Sequence, residues 1–430
     1  MRSLHAVLVE RTSPRLIELL AAALDGSGPA LLPLDAGLPT ARLAELIAAF
    51  APDTIEGPDG ETTARSGGKK EVADGTAVII GTSGSTGTSK GVQLSAAALL
   101  HSARASLARI GARPGERWLC CLPGTNIAGL QVLVRSLVSG TDPVLASNAD
   151  AATVAASGCA HVSLVPTQLR RLLSPGIDIS TPLAGFSSVL LGGAAAPSSL
   201  LDAARAAGVP VVTTYGMTET CGGCVYDGRP LDGVRVAIGD DDAPDGDGST
   251  AEDGGGTAAD GERAAGGGGG RIWIGGPVLF SGYRRLTAAP AAEAVLADGW
   301  FRTGDLGQLD AAGQLRVRGR ADDVINTGGR KVVPGEVAAA LESCPDVREV
   351  AVVGQPDAEW GERVVAVVVP ADPANPPALE LLRLHVKERL PRYAAPSRVV
   401  VVDAVPLLPS GKYDIAQLRL ELLQREQTQA

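Results

Sequence analysis

The chain has 430 residues, 45% of them hydrophobic but only 3% aromatic, and carries a formal charge of −10. That length exceeds what one hydrophobic core usually spans, so a large domain with a smaller companion is expected. The charge is local: nine acidic residues against one Arg fall between Gly239 and Gly270, and the near-neutral remainder has no basic excess of the kind a nucleic-acid partner requires.

No apolar run reaches the roughly 18 residues needed to cross a bilayer, and Glu10 and Arg11 interrupt the opening stretch before an export signal could develop. The reading is a soluble protein of the cytoplasm. Its six scattered cysteines (120, 121, 159, 221, 224 and 344) fit a reducing compartment better than a disulfide framework. Assembly as a homodimer stays open.

From Thr76 to about Val236, short β-rich runs alternate with helical patterns. TAVIIGT predicts a strand, and a helix opened by Ser95 closes near Gly111. WLCCLP, HVSLVP, SVLLGG and VPVVTTYG then read as strands, with GLQVLVRSLVSG, TQLRRLL and PSSLLDAARAAG as helices between them. Such alternation implies an α/β fold with doubly wound, largely parallel sheets, in which ligands sit beyond the carboxyl ends of strands.

Residues 239–270 hold twelve glycines and no large apolar side chain, so they cannot bury enough surface to offset the entropy of ordering. A disordered surface loop acting as a spacer is expected, with an acidic docking segment as the alternative. Beyond it, RIWIGG and LRVRGR read as strands of a further sheet. The pattern changes at 321–323, which separates an N-terminal domain of residues 1–320 from a C-terminal domain of 324–430. The latter predicts a turn at NTGG, a helix with Pro334 at its first position, strands VREVAVVG and RVVAVVVP, helix ALELLRLHVKERL, strand RVVVVD and a final helix.

The strongest local signal is the stretch Thr82, Ser83, Gly84, Ser85, Thr86, Gly87, running on to Lys90 and Gly91 directly after a strand. Backbone N–H groups, hydroxyls and one ammonium can wrap a polyphosphate, because glycine lets the chain approach closely and form anion-binding nests. It is not a Walker A loop, since Ser89 occupies the position of the second glycine. Taken alone it could be a Ser/Gly linker. Three further stretches add specificity: Thr214-Tyr-Gly-Met-Thr-Glu219, then Gly299-Trp-Phe-Arg-Thr-Gly-Asp305 with Gly319-Arg-Ala-Asp-Asp323, and Pro409-Ser-Gly-Lys412.

With these four motifs in order, the sequence from about Thr76 onward resembles the adenylate-forming superfamily of acyl-CoA synthetases, luciferases and nonribosomal-peptide adenylation domains. The resemblance implies ATP, Mg²⁺ and coenzyme A as reaction partners, with a mobile C-terminal lid. Thr82 to Lys90 would close over the β- and γ-phosphates. Tyr215, with Gly216 beside it, would pack against adenine; Thr218 would touch the α-phosphate and Glu219 would hold the metal. Asp305 would accept both ribose hydroxyls, with Arg320 nearby, and Lys412 would bridge the attacking carboxylate and the α-phosphate. Asp322 matches the family hinge, and the loop of Asn326 to Lys331, with Gly328 and Gly329 at its tip, would serve the thiol half-reaction. The residue types suit these tasks. A carboxylate attacks an anionic phosphate poorly, so the transition state needs charge neutralisation, which a metal and one mobile ammonium supply. An ionised carboxylate only accepts hydrogen bonds, and two ribose hydroxyls are two donors.

Substrate signals are sparser. LPGTNIAGLQVLVRSL contains no carboxylate to pair with an amino acid's ammonium, which would then be left buried and unpaired. Longer segments, including HVSLVPTQLRRLL and TYGMTETCGGCVYDGRPLDGV, look like the o-succinylbenzoate:CoA ligases of menaquinone biosynthesis. The alternatives kept open are ligation of another acyl or aryl acid, loading of a carrier protein, and a non-catalytic nucleotide-binding homologue. Thr125 and Asn126 stand where that family commonly has a His pair, and Arg330 replaces a frequent Glu. Gly192, Gly193 and Gly222 are candidate floor positions of the acid pocket, or tight turns. Cys221 and Cys224 lack the additional ligands of a zinc site and read as small buried hydrophobes.

Overall fold

The structure, a computed structural model, describes residues 2–65, 72–83, 89–174, 180–239, 244, 269–284, 296–408 and 413–429. It is mixed α/β, with a larger sheet-rich N-terminal part and a smaller C-terminal domain. Two compact units form: Met1–Gly193 with Ala204–Val236 and Ile274–Phe301, and Ala194–Ala203 with Ala237–Trp273 and Arg302–Ala430.

The first unit holds two seven-stranded sheets. One runs in the order Gly282–Arg284, Ser89–Ser95, Thr76–Ser83, Ala30–Asp35, Leu4–Val9, Thr54–Glu56, Thr62–Ala64. Its four central strands are parallel, whereas the Thr76–Ser83/Ser89–Ser95 hairpin, Gly282–Arg284 and Thr62–Ala64 are antiparallel. The other sheet repeats this plan: Val144–Leu145, Trp118–Cys120, His161–Leu164, Ser188–Leu191 and Val211–Met217 are mutually parallel, and Gly222–Tyr226 and Arg229–Pro230 close the edge antiparallel. The largely parallel expectation therefore holds at the centres. The strand pairs Thr76–Ser83/Ser89–Ser95 and Val211–Met217/Gly222–Tyr226, which carry two of the motifs, are antiparallel.

Local chemistry accounts for the helices. Ser95 accepts a hydrogen bond from Ala98 N at 3.1 Å and caps Ala96–Arg109, an N-cap worth about 1 kcal/mol. In the C-terminal domain Pro334 opens Pro334–Glu342 at a position whose N–H has no helical partner to lose. Gly328 (φ 57°) and Gly329 (φ 72°) form the two-residue turn between Ile325–Thr327 and Arg330–Val332. Positive φ at both positions is what such a hairpin needs and what glycine supplies without strain.

The run RVVAVVVP is apolar without alternation because both faces of its sheet are covered. Val364, Ala366 and Val368 pack with Val337, Leu341, Leu382 and Val386, while Val365, Val367 and Val369 pack with Leu418 and Leu422 of the last helix. The change of pattern at 321–323 lies inside the second unit. There Asp305 to Leu309 pair with Leu315–Arg320, and Arg318 ties that strand to Glu336 of the following helix through an ion pair. Residues 240–243 and 245–268, nearly all of the acidic glycine-rich stretch, lie outside the described residues. Among the described residues no helix is long and apolar enough to cross a membrane.

Candidate active site

The hairpin of Thr76–Ser83 and Ser89–Ser95 sets Thr82 opposite Lys90, and the Thr82 hydroxyl donates to the Lys90 carbonyl at 3.3 Å. Gly81 and Gly91 face each other one step back. A Cβ at Gly91 would lie 2.9 Å from the Phe50 ring and one at Gly81 3.0 Å from it, so both strands need glycine to seat that ring. Ser83 follows Thr82 in the strand, opposite Ser89. Gly84, Ser85, Thr86 and Gly87 lie outside the described residues, as does Lys412.

Tyr215 and Gly216 end the strand Val211–Met217, where a bulge shifts its register with Gly222–Tyr226. Gly216 permits it: a Cβ there would lie 2.0 Å from the Gly222 carbonyl oxygen. Thr218 and Glu219 occupy the single 3-10 turn that follows. The Thr220 hydroxyl holds the turn, accepting from Met217 N at 2.9 Å and donating to Gly222 O at 2.8 Å.

The two motifs are joined by a residue that sequence reasoning passed over. The Tyr283 hydroxyl donates to Glu219 Oε1 at 2.8 Å, and Lys90 Nζ lies 5.4 Å from the centroid of the same ring. Phe280 N donates to the Glu219 carbonyl at 2.9 Å. The Lys90 ammonium and the Glu219 carboxylate thus both meet Tyr283. No local signal marked Tyr283: its contacts come from pairing Gly282–Arg284 with the hairpin strand, Tyr283 opposite Val92.

The residues present fit Mg²⁺. Glu219 offers a hard, half-buried carboxylate and Thr218 a hydroxyl next to it, and among the described residues no set of three His, Cys, Asp or Glu side chains forms a cage of its own. Magnesium typically takes one or two protein carboxylates and completes its shell with substrate phosphates and water.

In the second unit Asp305 and Arg320 pair across the Trp300–Leu309/Leu315–Arg320 ladder, with Arg320 Nη1 3.5 Å from Asp305 Oδ1. Asp305 is only 8% exposed. Its backbone N donates to the Thr303 hydroxyl at 3.1 Å, and that hydroxyl donates to Ile272 O at 2.8 Å. Gly304 leaves the guanidinium its room, since a Cβ there would fall 2.6 Å from Arg320 Nη2. Asp322 is exposed in the 3-10 turn Ala321–Asp323, with Arg320 Nη2 4.0 Å away, and Asp323 is held by Arg419 at 3.2 Å. Lys331 is exposed beside the Gly328–Gly329 turn.

The acid-pocket candidates divide. Asn126 is the exposed N-cap of Ile127–Val138, and Thr125 is half-buried before it. Gly222 (φ 92°) faces that helix: a Cβ there would meet Gln131 Cγ at 3.4 Å and Ile127 Cγ1 at 3.6 Å. Gln131 is 2% exposed and its Oε1 has no hydrogen-bond partner among the described residues. Gly192 lies against Thr214. A Cβ there would lie 2.2 Å from Thr214 Oγ1, and Gly193 (φ 83°) is a turn residue. Cys221 and Cys224 are buried; burial raises both thiols, that of Cys224 to about 12.

The AMP-binding enzyme family profile matches residues 53–284, and that of the AMP-binding enzyme C-terminal domain matches residues 336–412. The chain is 43% identical to a probable 2-succinylbenzoate–CoA ligase of Mycobacterium tuberculosis, over 81% of this chain and 85% of that protein. It is 34% identical to 2-succinylbenzoate–CoA ligase of Bacillus subtilis over 80% of this chain and 69% of that one. Against indoleacetate–CoA ligase of Aromatoleum aromaticum the identity is 36%, with 82% and 69% covered. Among solved structures, o-succinylbenzoate CoA synthetase (MenE) from Bacillus subtilis with the acyl-adenylate OSB-AMP superposes with a TM-score of 0.75 at 27% identity, covering 97% of this chain and 88% of that one. The same enzyme with ATP and magnesium ion gives 0.74, also at 27% identity, covering 97% and 89%. Motifs, fold and relatives agree: the chain belongs to the AMP-binding enzyme family, within the adenylate-forming superfamily.

Proposed function

We propose that the chain is an AMP-forming acid–thiol ligase that activates o-succinylbenzoate with ATP and transfers the acyl group to CoA, as in menaquinone biosynthesis. The observation that carries the ligase reading is the meeting of Lys90 and Glu219 on Tyr283, which couples the phosphate-loop hairpin to the acidic turn. The substrate rests on the 2-succinylbenzoate–CoA ligases to which the chain is 43% and 34% identical. A carboxylate-free stretch from Leu122 to Val138 argues against amino acids.

In the first half-reaction a substrate carboxylate oxygen attacks the α-phosphorus of ATP, and the bond to the bridging oxygen breaks to release pyrophosphate. Thr82 to Lys90 bind the β- and γ-phosphates, Tyr215 and Gly216 bind adenine, and Asp305 with Arg320 binds the ribose. Thr218 orients the α-phosphate, and Lys412 neutralises charge where the new P–O bond forms. Magnesium held by Glu219 supplies further neutralisation at the phosphates. In the second half-reaction the CoA sulfur attacks the acyl carbon, the thioester forms, and AMP leaves with the mixed-anhydride oxygen. Rotation about Asp322 in the 321–323 segment exchanges Lys412 for the Gly328, Gly329 and Lys331 hairpin. Thr125, Asn126, Gly222 and Gln131 border the acid. A cytoplasmic location and the absence of a nucleic-acid partner complete the reading; sedimentation decides between monomer and homodimer.

The 36% identity to an indoleacetate–CoA ligase, together with Thr125-Asn126, favours ligation of another aryl acid as the second reading. Pyrophosphate release with ATP, Mg²⁺ and CoA separates the two. Turnover with o-succinylbenzoate well above that with indoleacetate, benzoate, fatty acids or amino acids is expected. Preference for another acid moves the enzyme out of menaquinone synthesis, and silence with every acid overturns the CoA-ligase reading in favour of a carrier-protein acceptor or a lost activity.

A further inference from the structure

We propose that Tyr283 is a positioning residue that aims the Glu219 carboxylate at the metal while holding Lys90 apart from it. The inference rests on Glu219 being the magnesium ligand. The phenol donates to Oε1 at 2.8 Å, and the peptide N–H of Phe280 donates to the backbone carbonyl of the same glutamate at 2.9 Å. The segment 280–283 therefore grips Glu219 at both ends, by its backbone carbonyl and by Oε1, and Oε2 would be left for the metal. A neutral hydroxyl suits this task. It orients a carboxylate without cancelling the charge the metal needs, as Lys or Arg in the same place would.

The other face of the problem is Lys90. A bare ammonium and a bare carboxylate at one site would pair with each other before any nucleotide arrived. The Tyr283 ring gives Lys90 Nζ a weaker partner 5.4 Å from the centroid. The ring is itself wedged: it packs on Phe280 at 4.8 Å, and Phe280 packs edge-on against Phe301 at 5.3 Å. The same strand is anchored on its other side by Arg284, whose Nε donates to Phe50 O at 2.8 Å.

Calorimetric titration of the full chain with ATP, in EDTA and in Mg²⁺, tests this. Tyr283→Phe keeps the ring and loses the donor. It should bind metal-free ATP within about twofold of wild type yet lose about tenfold of the gain that magnesium confers, the scale of a hydrogen bond to a charged group. The magnesium concentration for half-maximal pyrophosphate release should rise in step, with KM for the acid unchanged. Tyr283→Leu, which also removes the ring, should weaken metal-free ATP binding as well. A wild-type magnesium response in Tyr283→Phe, or equal loss with and without metal, overturns the proposal. Glu219→Gln keeps the two hypotheses distinguishable: if it retains the magnesium response, the assignment of the metal to Glu219 fails; if it loses the response while Tyr283→Phe does not, only the role of Tyr283 fails.

Discussion

Lys412 carries the sharpest single-residue consequence of the proposed chemistry. An ammonium that touches only the adenylation transition state should matter to one half-reaction and not the other. Lys412→Ala is expected to slow acid-dependent pyrophosphate release by about 10² or more, the range for one lost transition-state electrostatic partner, while thioester formation from supplied acyl-adenylate stays close to wild type. Equal loss in both assays would remove Lys412 from that role. Asp305 illustrates the opposite kind of residue. It is buried, paired with Arg320 at 3.5 Å and set on a backbone that the Thr303 hydroxyl braces from Ile272, so its position is built in rather than acquired.

Gly216 shows how a strand end becomes part of a site. The bulge between Tyr215 and Gly216 lets the chain leave the sheet and enter the turn that presents Thr218 and Glu219, and it exists because Gly216 lies against the Gly222 carbonyl. Gly216→Ala is expected to cost about 1–3 kcal/mol of stability in urea unfolding, as overpacking does, and to weaken ATP binding in the folded fraction. Unchanged stability and affinity would show that the turn tolerates displacement. Much here was legible beforehand. The Ser95 cap, Pro334 at a helix start and the Gly328–Gly329 turn are local rules. What escaped depended on distant partners. The room that Gly192 leaves is for Thr214, on a strand 22 residues on, and the partner of Tyr283 is Glu219, 64 residues earlier. The strands before Thr76 that form the middle of the first sheet were not anticipated either; Leu4–Val9 and Ala30–Asp35 are buried along almost their whole length, and neither shows the two-residue alternation that marks a half-exposed strand.

The chain as a whole concentrates its negative charge in one stretch and keeps the rest near neutral. If 239–270 is a spacer, deleting Asp241 to Gly268 should leave pyrophosphate release and thioester formation near wild type in a protein of unchanged melting temperature. A large loss of turnover in a folded deletion variant would instead give that stretch a part in the reaction.

The burial of every cysteine has a bearing on the product. An acyl-adenylate is a strong acylating agent, and any accessible thiolate would intercept it before CoA. Two of this protein's thiols, Cys221 and Cys224, follow Glu219 almost at once, yet both are fully buried and burial raises them, Cys224 to about 12, as it raises Cys121, just after the strand Trp118–Cys120, to about 12. All six cysteines are buried, which sets their sulfurs away from the solvent-accessible surface. The packing that builds the core thus withholds these sulfurs and leaves the acyl group for the incoming thiol.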